Sequence, residues 1–578
     1  MNAFDKFNWD RCLSYARGIW ENDHRLTNSA FLKTGEFVEK TMRDIGLEEV
    51  EVLKAHADGR TRYAEWVIPE AWEVKGARLT YEDGEIIADY DENPCSLSMR
   101  SAKTPAGGIW AEVVDADGLA PDEWMRGKLL LTSKSAASIR DNALKFGAAG
   151  ILSDFFPMYK GIRESREEMT GVSRWDVEFI PERNDTNLFA FSITPERGDG
   201  LRKRLKAGEK IRLHAQVDTE LFDGYVPVVS GAILGEKREL GEIFLYGHLY
   251  EPGANDNASG CALLLECMNI YADMIRRGEA KKPQRTIRLA LGQECMGSNA
   301  YLLKHPDRKG QMCIVADMVG TEKIDNATLG VWHSPFANWS FLDDLIEEIV
   351  ESAKEFGDFE HKSRPYGIAT DNMLGDPCFH MPTVALITEP AKSYHSSMDT
   401  PERLEESVMR RNAWIVFEMI KALSNAQDEA DLPCEYKYTE RMKEHARTAL
   451  EKTFWEAKIH SMQAEKQAFL GGETSCLNLC DFSLPETPKD ILNIYVTRIK
   501  DGCMTLDKID PLSGRRFETA WNTHLHRPLY WANGRRNVWE IACLVAMEEG
   551  KSDYSAAYDE CMSLFRALSE SGVVTMTE

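Results

Sequence analysis

The middle of the chain alternates between short apolar runs and segments with apolar residues at helical spacing. The runs EIFLYG, TIRLALG, CIVADMVG and TVALIT have the length and composition of buried strands. Helical segments such as SFLDDLIEEIVESAKEF lie between them. This pattern over residues 226–425 predicts an α/β domain with a mixed, mostly parallel sheet and helices on both faces.

The regions on either side of this domain have different patterns. Residues 1–65 contain amphipathic helices, and we assign them to an N-terminal helical part of the same unit. Residues 66–225 are β-rich, and within them MRGKLLLTSKSAASIRDNALKFGAAGILSDFF predicts a strand, a helix and a second strand. Residues 426–578 predict a helical module with a long charged helix and a winged-helix-like end. A length of 578 residues agrees with several domains.

The charge balance disfavours some classes of partner. The chain has 69 basic and 94 acidic residues and a net charge of −25, which argues against nucleic acid or an anionic membrane surface. We find no signal peptide and no apolar run long enough to span a membrane. The 13 cysteines are scattered singly, which indicates reduced thiols and predicts a cytoplasmic protein.

Ligand-type side chains lie at or beyond the ends of the predicted strands. His248 follows EIFLYG, and Asp256 comes eight residues later. Glu294 lies just after TIRLALG, Asp317 follows CIVA, and His395 lies beyond TVALIT. Because the carboxyl ends of parallel strands meet at one edge of a sheet, we expect these five side chains to converge. Imidazole and carboxylate ligands predict one or two Zn²⁺ ions per chain, with Mn²⁺ or Co²⁺ as alternatives.

Each of these residues also has an ordinary structural interpretation. A lone histidine near a strand end is usually structural, and a lone carboxylate there is more often a helix cap or an ion-pair partner. The stretch NDNASG alone could be a turn in which Asn257 or Ser259 caps the next helix. These interpretations explain the positions singly but not their common location in one α/β segment. We therefore favour the metal site, in which a carboxylate between two ions could act as a bridge.

Four short motifs follow one another in a specific order over residues 226–425. PGANDNASG, a Glu near a GS pair, DMVG and YHSSMDT together resemble the co-catalytic zinc aminopeptidases. That group includes bacterial leucyl aminopeptidases and glutamate carboxypeptidase-like enzymes. The unit formed by GKLLLTS and KFGAAGILSDF also resembles the protease-associated domain that is often inserted in this family.

The resemblance implies a role for each candidate residue. His248 and Asp317 would bind one metal ion, Glu294 and His395 would bind the other, and Asp256 would bridge the two. A sixth residue, Tyr394, would donate a hydrogen bond to the developing oxyanion.

The chain departs from the family pattern in its spacing and in the residues beside the ligands. Tyr250 stands where the family has an Asp that orients the ligand histidine, and the interval from His248 to Asp256 is short. Gln293 stands where the family has the general base, and an amide cannot take a proton from water near neutral pH.

The change at Gln293 leaves two arrangements open. Either Glu294 is the base and one metal position is weakened or lost, or Glu294 is a ligand and the base lies elsewhere. Glu251 and Glu389, in loops at the same edge of the sheet, are the candidates for a displaced base.

The resemblance implies a metal-dependent aminopeptidase that removes N-terminal residues from peptides or small aminoacyl amides and assembles as a homo-oligomer. Two alternatives stay open. The metal site could serve an amidohydrolase or a rearranging enzyme with a non-peptide substrate. The chain could also be a degenerate peptidase fold that acts as a binding or scaffold protein, for which Gln293 is the main argument.

Four further residues carry weaker signals. Asp371 lies in a loop that often shapes the pocket in the family, and His333 and Arg364 are candidates for substrate contact. Cys295 follows Glu294 but has no His/Asn partner motif, so we predict a buried core thiol.

Overall fold

A computed structural model describes residues 3–175, 188–308, 310–432, 434–473, 482–507, 509 and 520–578. The strands, numbered along the chain, are β1 (Glu48–Ala57), β2 (Arg62–Tyr63), β3 (Trp66–Val67), β4 (Ala71–Thr80), β5 (Ile86–Asp89), β6 (Ile109–Asp115), β7 (Leu129–Thr132), β8 (Gly150–Ser153), β9 (Ala190–Ser192), β10 (Arg212–Phe222), β11 (Gly224–Ile233), β12 (Glu242–Leu249), β13 (Thr286–Gln293), β14 (Gly310–Asp317), β15 (Thr328–Trp332), β16 (His361–Arg364), β17 (Thr383–Glu389), β18 (Tyr495–Arg498), β19 (Asn533–Asn537) and β20 (Val574–Thr577). The α-helices are α1 (Ala3–Lys6), α2 (Trp9–Asp23), α3 (Asn28–Ile45), α4 (Ala136–Lys145), α5 (Pro195–Lys206), α6 (Ala258–Arg276), α7 (Met296–Lys304), α8 (Phe341–Ser352), α9 (Glu406–Asn425), α10 (Lys437–Glu444), α11 (Ala449–Leu470), α12 (Thr523–Trp531), α13 (Val538–Glu548) and α14 (Tyr554–Glu570).

The largest sheet has the strand order β1-β11-β13-β12-β14-β17-β15-β16. Its central strands β13, β12, β14 and β17 are mutually parallel and are the four strands predicted from the apolar runs. β1, β11 and β15 join this core in antiparallel pairs. The predicted fold class, a mixed α/β sheet with helices, is confirmed.

Helix α6 leaves the end of β12 and lies in the core. It packs against β12, α2 and α9, and its first fifteen residues are buried. Within the described part of the chain, α6 is the one helix that is long and apolar enough to cross a membrane. However, 78% of its most apolar 18-residue stretch is buried within the protein. Its hydropathy is therefore explained by packing in the core.

The second sheet has the order β5-β4-β10-β6-β7-β8-β9. Strands β7 and β8 are parallel and α4 connects them, so the predicted strand–helix–strand unit is present. The chain between β8 and residue 175 leaves this sheet and reaches the first domain, where Arg174 pairs with Ser396, next to His395.

Both ends of the chain contain elements that the sequence patterns did not predict. The N-terminal region adds β1 to the large sheet, where it pairs with β11. The long charged helix near residue 450 is two helices, α10 and α11, because Thr448 caps α11 by accepting a hydrogen bond from Glu451 N at 3.1 Å. After α11, the antiparallel strands β19-β18-β20 pack with α13 and α14.

Candidate metal centre

The candidate ligands lie at one edge of the large sheet because their strands are parallel and in register. His248 pairs with Gly292 in β13, and Tyr246, two residues earlier, pairs with Val315 in β14. Asp317 is the last residue of β14, so it lies level with His248 on the neighbouring strand. Glu294 follows the last residue of β13.

Hydrogen bonds connect the polar loop after β12 to the end of β14. Asn257 Nδ2 donates to Ala316 O at 3.0 Å, and Asn257 Oδ1 accepts from Met318 N at 3.1 Å. The same oxygen accepts from the third residue of the α6 N-terminal turn and thus caps the helix. This loop brings Asp256 next to Asp317.

The small residues of the loop permit a close approach of two backbones. A Cβ atom at Gly260 would lie 2.2 Å from Ala316 O. Ser259 Oγ accepts from Val319 N at 3.0 Å, which continues the connection along the chain after β14. The turn-like composition of NDNASG therefore serves both the helix cap and the placement of Asp256.

Two groups of ligand-type side chains share Asp256. In the first group, His248 Nε2 lies 3.5 Å from Asp256 Oδ1 and 3.4 Å from Asp317 Oδ1. In the second, His395 Nε2 lies 3.2 Å from Asp256 Oδ2 and 3.6 Å from Glu251 Oε2. Each group offers three ligand atoms within 4.8 Å of one another. The two oxygens of Asp256 thus face different histidines.

The spacing and chemistry of these atoms fit divalent cations. Ligands at about 2.0–2.2 Å in tetrahedral geometry lie about 3.3–3.6 Å from one another, close to the separations seen here. Asp317 Oδ1 and Glu251 Oε2 are buried and make no hydrogen bond with the described residues. Nitrogen and carboxylate oxygen donors suit Zn²⁺ and also Mn²⁺ or Co²⁺.

The structure brings four of the five predicted ligands into these two groups and leaves the fifth beside them. His248, Asp256, Asp317 and His395 belong to the two groups, whereas Glu294 belongs to neither. The third place in the second group is taken by Glu251, which the sequence had indicated only as a candidate base.

The excess of buried carboxylate shifts the protonation of the centre. Against the effect of burial, the charges of Asp317, Glu294 and Asp256 raise the pKa of His248 to about 10. Burial and the charges of Asp256 and Glu294 raise the pKa of Glu251 well above its usual range. Bound cations would offset this negative charge and would favour ionised carboxylates and neutral histidines.

Glu294 lies half-buried beside the two groups, on a turn held by Asp371. Asp371 Oδ1 accepts from Cys295 N at 2.8 Å and from Ser298 Oγ at 2.6 Å. Burial raises the pKa of Glu294 to about 8; the charges of Asp371, Asp317 and Asp256 act in the same direction, and His248 acts against them.

A segment of the β-rich insert forms a wall beside His395. Trp175 N donates to His395 O, and Ser397 N donates to Ser173 O, both at 2.9 Å. The edge of the Trp175 ring meets the His395 ring, with 4.6 Å between ring centroids. Burial, with the charges of Arg174 and His248, lowers the pKa of His395 despite its contact with Asp256.

Tyr394 stacks on His395 with 3.8 Å between ring centroids. Burial and the charges of Asp256 and Glu251 raise the pKa of Tyr394 well above its usual range. Its hydroxyl therefore stays protonated at neutral pH and can donate a hydrogen bond. From the insert, Arg163 Nη2 donates to Tyr394 O at 3.2 Å and fixes this backbone.

Some residues near the centre carried little or no sequence signal. Asp399 binds the Asp256 loop, and its place in YHSSMDT was the available signal. Asp23 accepts from Tyr250 N at 2.8 Å, although nothing in the N-terminal pattern indicated this contact. Tyr250 stands where the family has an Asp that orients the ligand histidine. Accordingly, His248 Nδ1 makes no hydrogen bond with the described residues.

The structure shows the surroundings of three further residues that the sequence analysis considered. His333 is fully buried, and its Nε2 lies 2.9 Å from Glu347 Oε1, so this candidate for substrate contact is not accessible to a substrate. Cys295 is a buried thiol, as predicted, and burial raises its pKa well above the usual range. Glu389 accepts from Trp332 Nε1 at 3.0 Å and lies 3.8 Å from Arg364 Nε, so a neighbouring donor already binds this candidate base.

Comparisons with known proteins show which family model and which solved structures this chain is similar to. Residues 236–420 match the family model described as Peptidase family M28. The fold is similar to that of a zinc aminopeptidase from Bacillus subtilis, with 17% identity, 74% of this chain and 98% of that chain covered, and a TM-score of 0.52. It is also similar to a peptidase M28 precursor from Shewanella amazonensis, with 14% identity, coverage of 72% and 96%, and a TM-score of 0.51. The comparison with curated proteins gave no match. The match over residues 236–420 and the similarity of fold support a metal-dependent hydrolase with a peptidase fold.

Proposed function

We propose that this protein is a metallo-aminopeptidase that removes N-terminal residues from peptides or small aminoacyl amides. The observation that carries the proposal is Asp256, whose two oxygens face two histidines in two separate ligand groups. Such a shared carboxylate is the arrangement expected of a centre for two divalent ions. His248 and Asp317 would complete one position, and Glu251 and His395 the other.

The residues around the centre supply the remaining chemistry. When bound, divalent ions at such a centre activate a water molecule and polarise the scissile carbonyl. Glu294 would accept the proton of that water and pass it to the leaving amine, because it is a carboxylate beside both groups and belongs to neither. Tyr394, with its hydroxyl protonated, would donate a hydrogen bond to the carbonyl oxygen as negative charge develops there.

Glu294 also weakens the argument for a degenerate scaffold. That alternative rested on Gln293, which cannot act as a base. Glu294 is a half-buried carboxylate next to Gln293, and bound cations would favour its ionised form, so it can take over proton transfer without Gln293.

We further propose that the protein acts in the cytoplasm as a homo-oligomer, without a nucleic acid or membrane partner.

The test combines metal content with substrate choice. We expect elemental mass spectrometry of the purified protein, after zinc loading and gel filtration, to find two equivalents of metal per chain. We also expect hydrolysis of aminoacyl p-nitroanilides but not of the same compounds with an acetylated amino group. A loaded protein that cleaves both forms equally would point to an amidohydrolase, and one that cleaves neither would contradict the aminopeptidase assignment.

A further inference from the structure

The turn that carries Glu294 needs support from outside its own strand. Cys295, the next residue, has a φ of 54°, a left-handed conformation that a residue with a side chain adopts only at a cost in free energy. Asp371 provides that support, since its Oδ1 accepts hydrogen bonds from the Cys295 N–H and the Ser298 hydroxyl. Asp371, Cys295 and Ser298 are all buried, so these hydrogen bonds are shielded from water.

The loop that presents Asp371 is bound by helix α12 of the C-terminal module. Ile368 N donates to Thr523 Oγ1 at 2.9 Å, three residues before Asp371. The hydroxyl of Tyr366 lies 2.9 Å from the hydroxyl of Tyr530, and both tyrosines are buried. These contacts link the N-terminal side of the loop to one face of α12.

A second part of the module holds the other side of the same loop. Arg498 Nη1 donates to both oxygens of Asp376, at 2.6 and 2.9 Å, in a pair with little exposure to solvent. Cys503 Sγ donates to Met373 O at 3.1 Å, and Cys503 N donates to Asn299 Oδ1 at 2.8 Å in α7. The module therefore contacts the loop on both sides of Asp371, and also the helix that follows Glu294.

We infer that the C-terminal module positions the Glu294 turn, by holding the loop of residues 366–376 so that Asp371 can bind Cys295. Asp371 and Thr523 are positioning residues in this account, because they act on Glu294 through the backbone. The inference rests on the proposed function for its effect on catalysis. The hydrogen bonds that form this link involve none of the residues of the two ligand groups.

The experiment removes contacts between α12 and the loop of residues 366–376, which lie away from the candidate metal ligands. In the full-length protein, Thr523→Val removes the acceptor for Ile368 N, and Tyr530→Phe removes the contact with Tyr366. Thr523→Ser keeps the hydroxyl and should behave as the parent protein. The matched control is Thr575→Val, because the Thr575 hydroxyl contacts the Thr497 carbonyl inside the module.

Two measurements are made on each variant. Hydrogen exchange of the peptide that contains Cys295 is followed in metal-free protein, and kcat and KM are measured after zinc loading. For Thr523→Val we expect faster exchange at this peptide, kcat lower by about 10-fold, and an unchanged KM, since small misplacements of a reacting group reduce rate more than binding. Metal content should equal that of the parent protein.

The outcomes separate this inference from the proposed function. Unchanged exchange at the Cys295 peptide in both Thr523→Val and Tyr530→Phe would overturn the inference, whatever the activity. Faster exchange with an unchanged kcat would support the link and would contradict Glu294 as the base. Faster exchange in Thr575→Val as well would show general loosening of the module and would also overturn the inference.

Discussion

Asp399 holds the backbone of Asp256, because its Oδ2 accepts a hydrogen bond from the Asp256 N–H at 3.0 Å. Its other oxygen accepts from Asn255 N at 2.7 Å, so both donors are consecutive residues of one loop. Asp399 lies four residues after His395 in the sequence. One short segment therefore supplies a ligand to the second group and also fixes the carboxylate that both groups share.

The shared position of Asp256 predicts that both metal positions fail together. Asp256→Asn keeps the size of the side chain but removes its charge and one of its oxygen donors. We expect a loss of both equivalents of zinc in elemental mass spectrometry, and a fall in activity of more than about 100-fold. Asp273→Asn on the surface of α6 is the control and should retain metal. Retention of both equivalents by Asp256→Asn would contradict the bridging role.

Glu294 and Glu251 should respond differently to the same substitution. Glu294→Gln should keep two equivalents of zinc and lose about 10²–10⁴-fold in kcat, as expected when a general base is removed. Glu251→Gln should lower the affinity for one equivalent, because it removes a charged ligand of the second group. If Glu294→Gln loses a metal ion and Glu251→Gln does not, the ligand set implied by the family resemblance is the right one.

The contact between the insert and His395 predicts that Trp175 tunes the second position. Trp175→Ala removes the ring that packs on His395 but leaves the backbone hydrogen bond. We expect about 10-fold weaker zinc binding at one position, measured by competition with a chromophoric chelator, and little change at the other. Trp110→Ala, at an exposed tryptophan in β6 of the second sheet, is the control. Equal weakening at both positions would indicate a general loss of folding.

His333 predicts a pH dependence of stability that is separate from the metal centre. Against the effect of burial, Asp343 and Glu347 raise the pKa of His333 to about 9, above the unfolded value of about 6.5. Protonated His333 therefore contributes stability that is fully present below pH 6.5 and is lost as the pH rises through about 9. The shift corresponds to on the order of 3 kcal/mol.

The control for this prediction is His333→Gln, which cannot be protonated. His361, Tyr438 and Arg441 also lie around the Asp343–Glu347 pair, and the variant retains them. Chemical denaturation of metal-free protein between pH 6 and pH 10 should show a steeper loss of stability in the parent than in the variant. Parallel curves would contradict a protonated His333 in the folded protein.

The central sheet could be read from the sequence because its strands are apolar throughout and end in ligand-type residues. His248, Asp317 and His395 were indicated by those ends, since parallel register brings them to one edge. The choice between Glu251 and Glu294 could not be made in this way. It depends on how the loop after β12 and the turn after β13 orient two side chains, and neither orientation has a periodic signal.

Sequence patterns also could not predict contacts between parts of the chain that are far apart in the sequence. Trp175 and Asp23 contact the centre from the insert and from the N-terminal helices. Their neighbours in sequence are ordinary loop and helix residues, so only the tertiary packing reveals them. The strand β1 was missed because only part of it is buried, and its alternation is weak.

The division of one carboxylate between two ligand groups makes the two ion-binding equilibria dependent on each other. Two dications about 3.5–4 Å apart repel, and a single bridging charge offsets only part of that repulsion. The second ion would therefore bind more weakly than the first. The fraction of fully loaded molecules would follow the free concentration of the metal in its surroundings. The rate of the proposed reaction would then depend on the metal supply as well as on the substrate concentration.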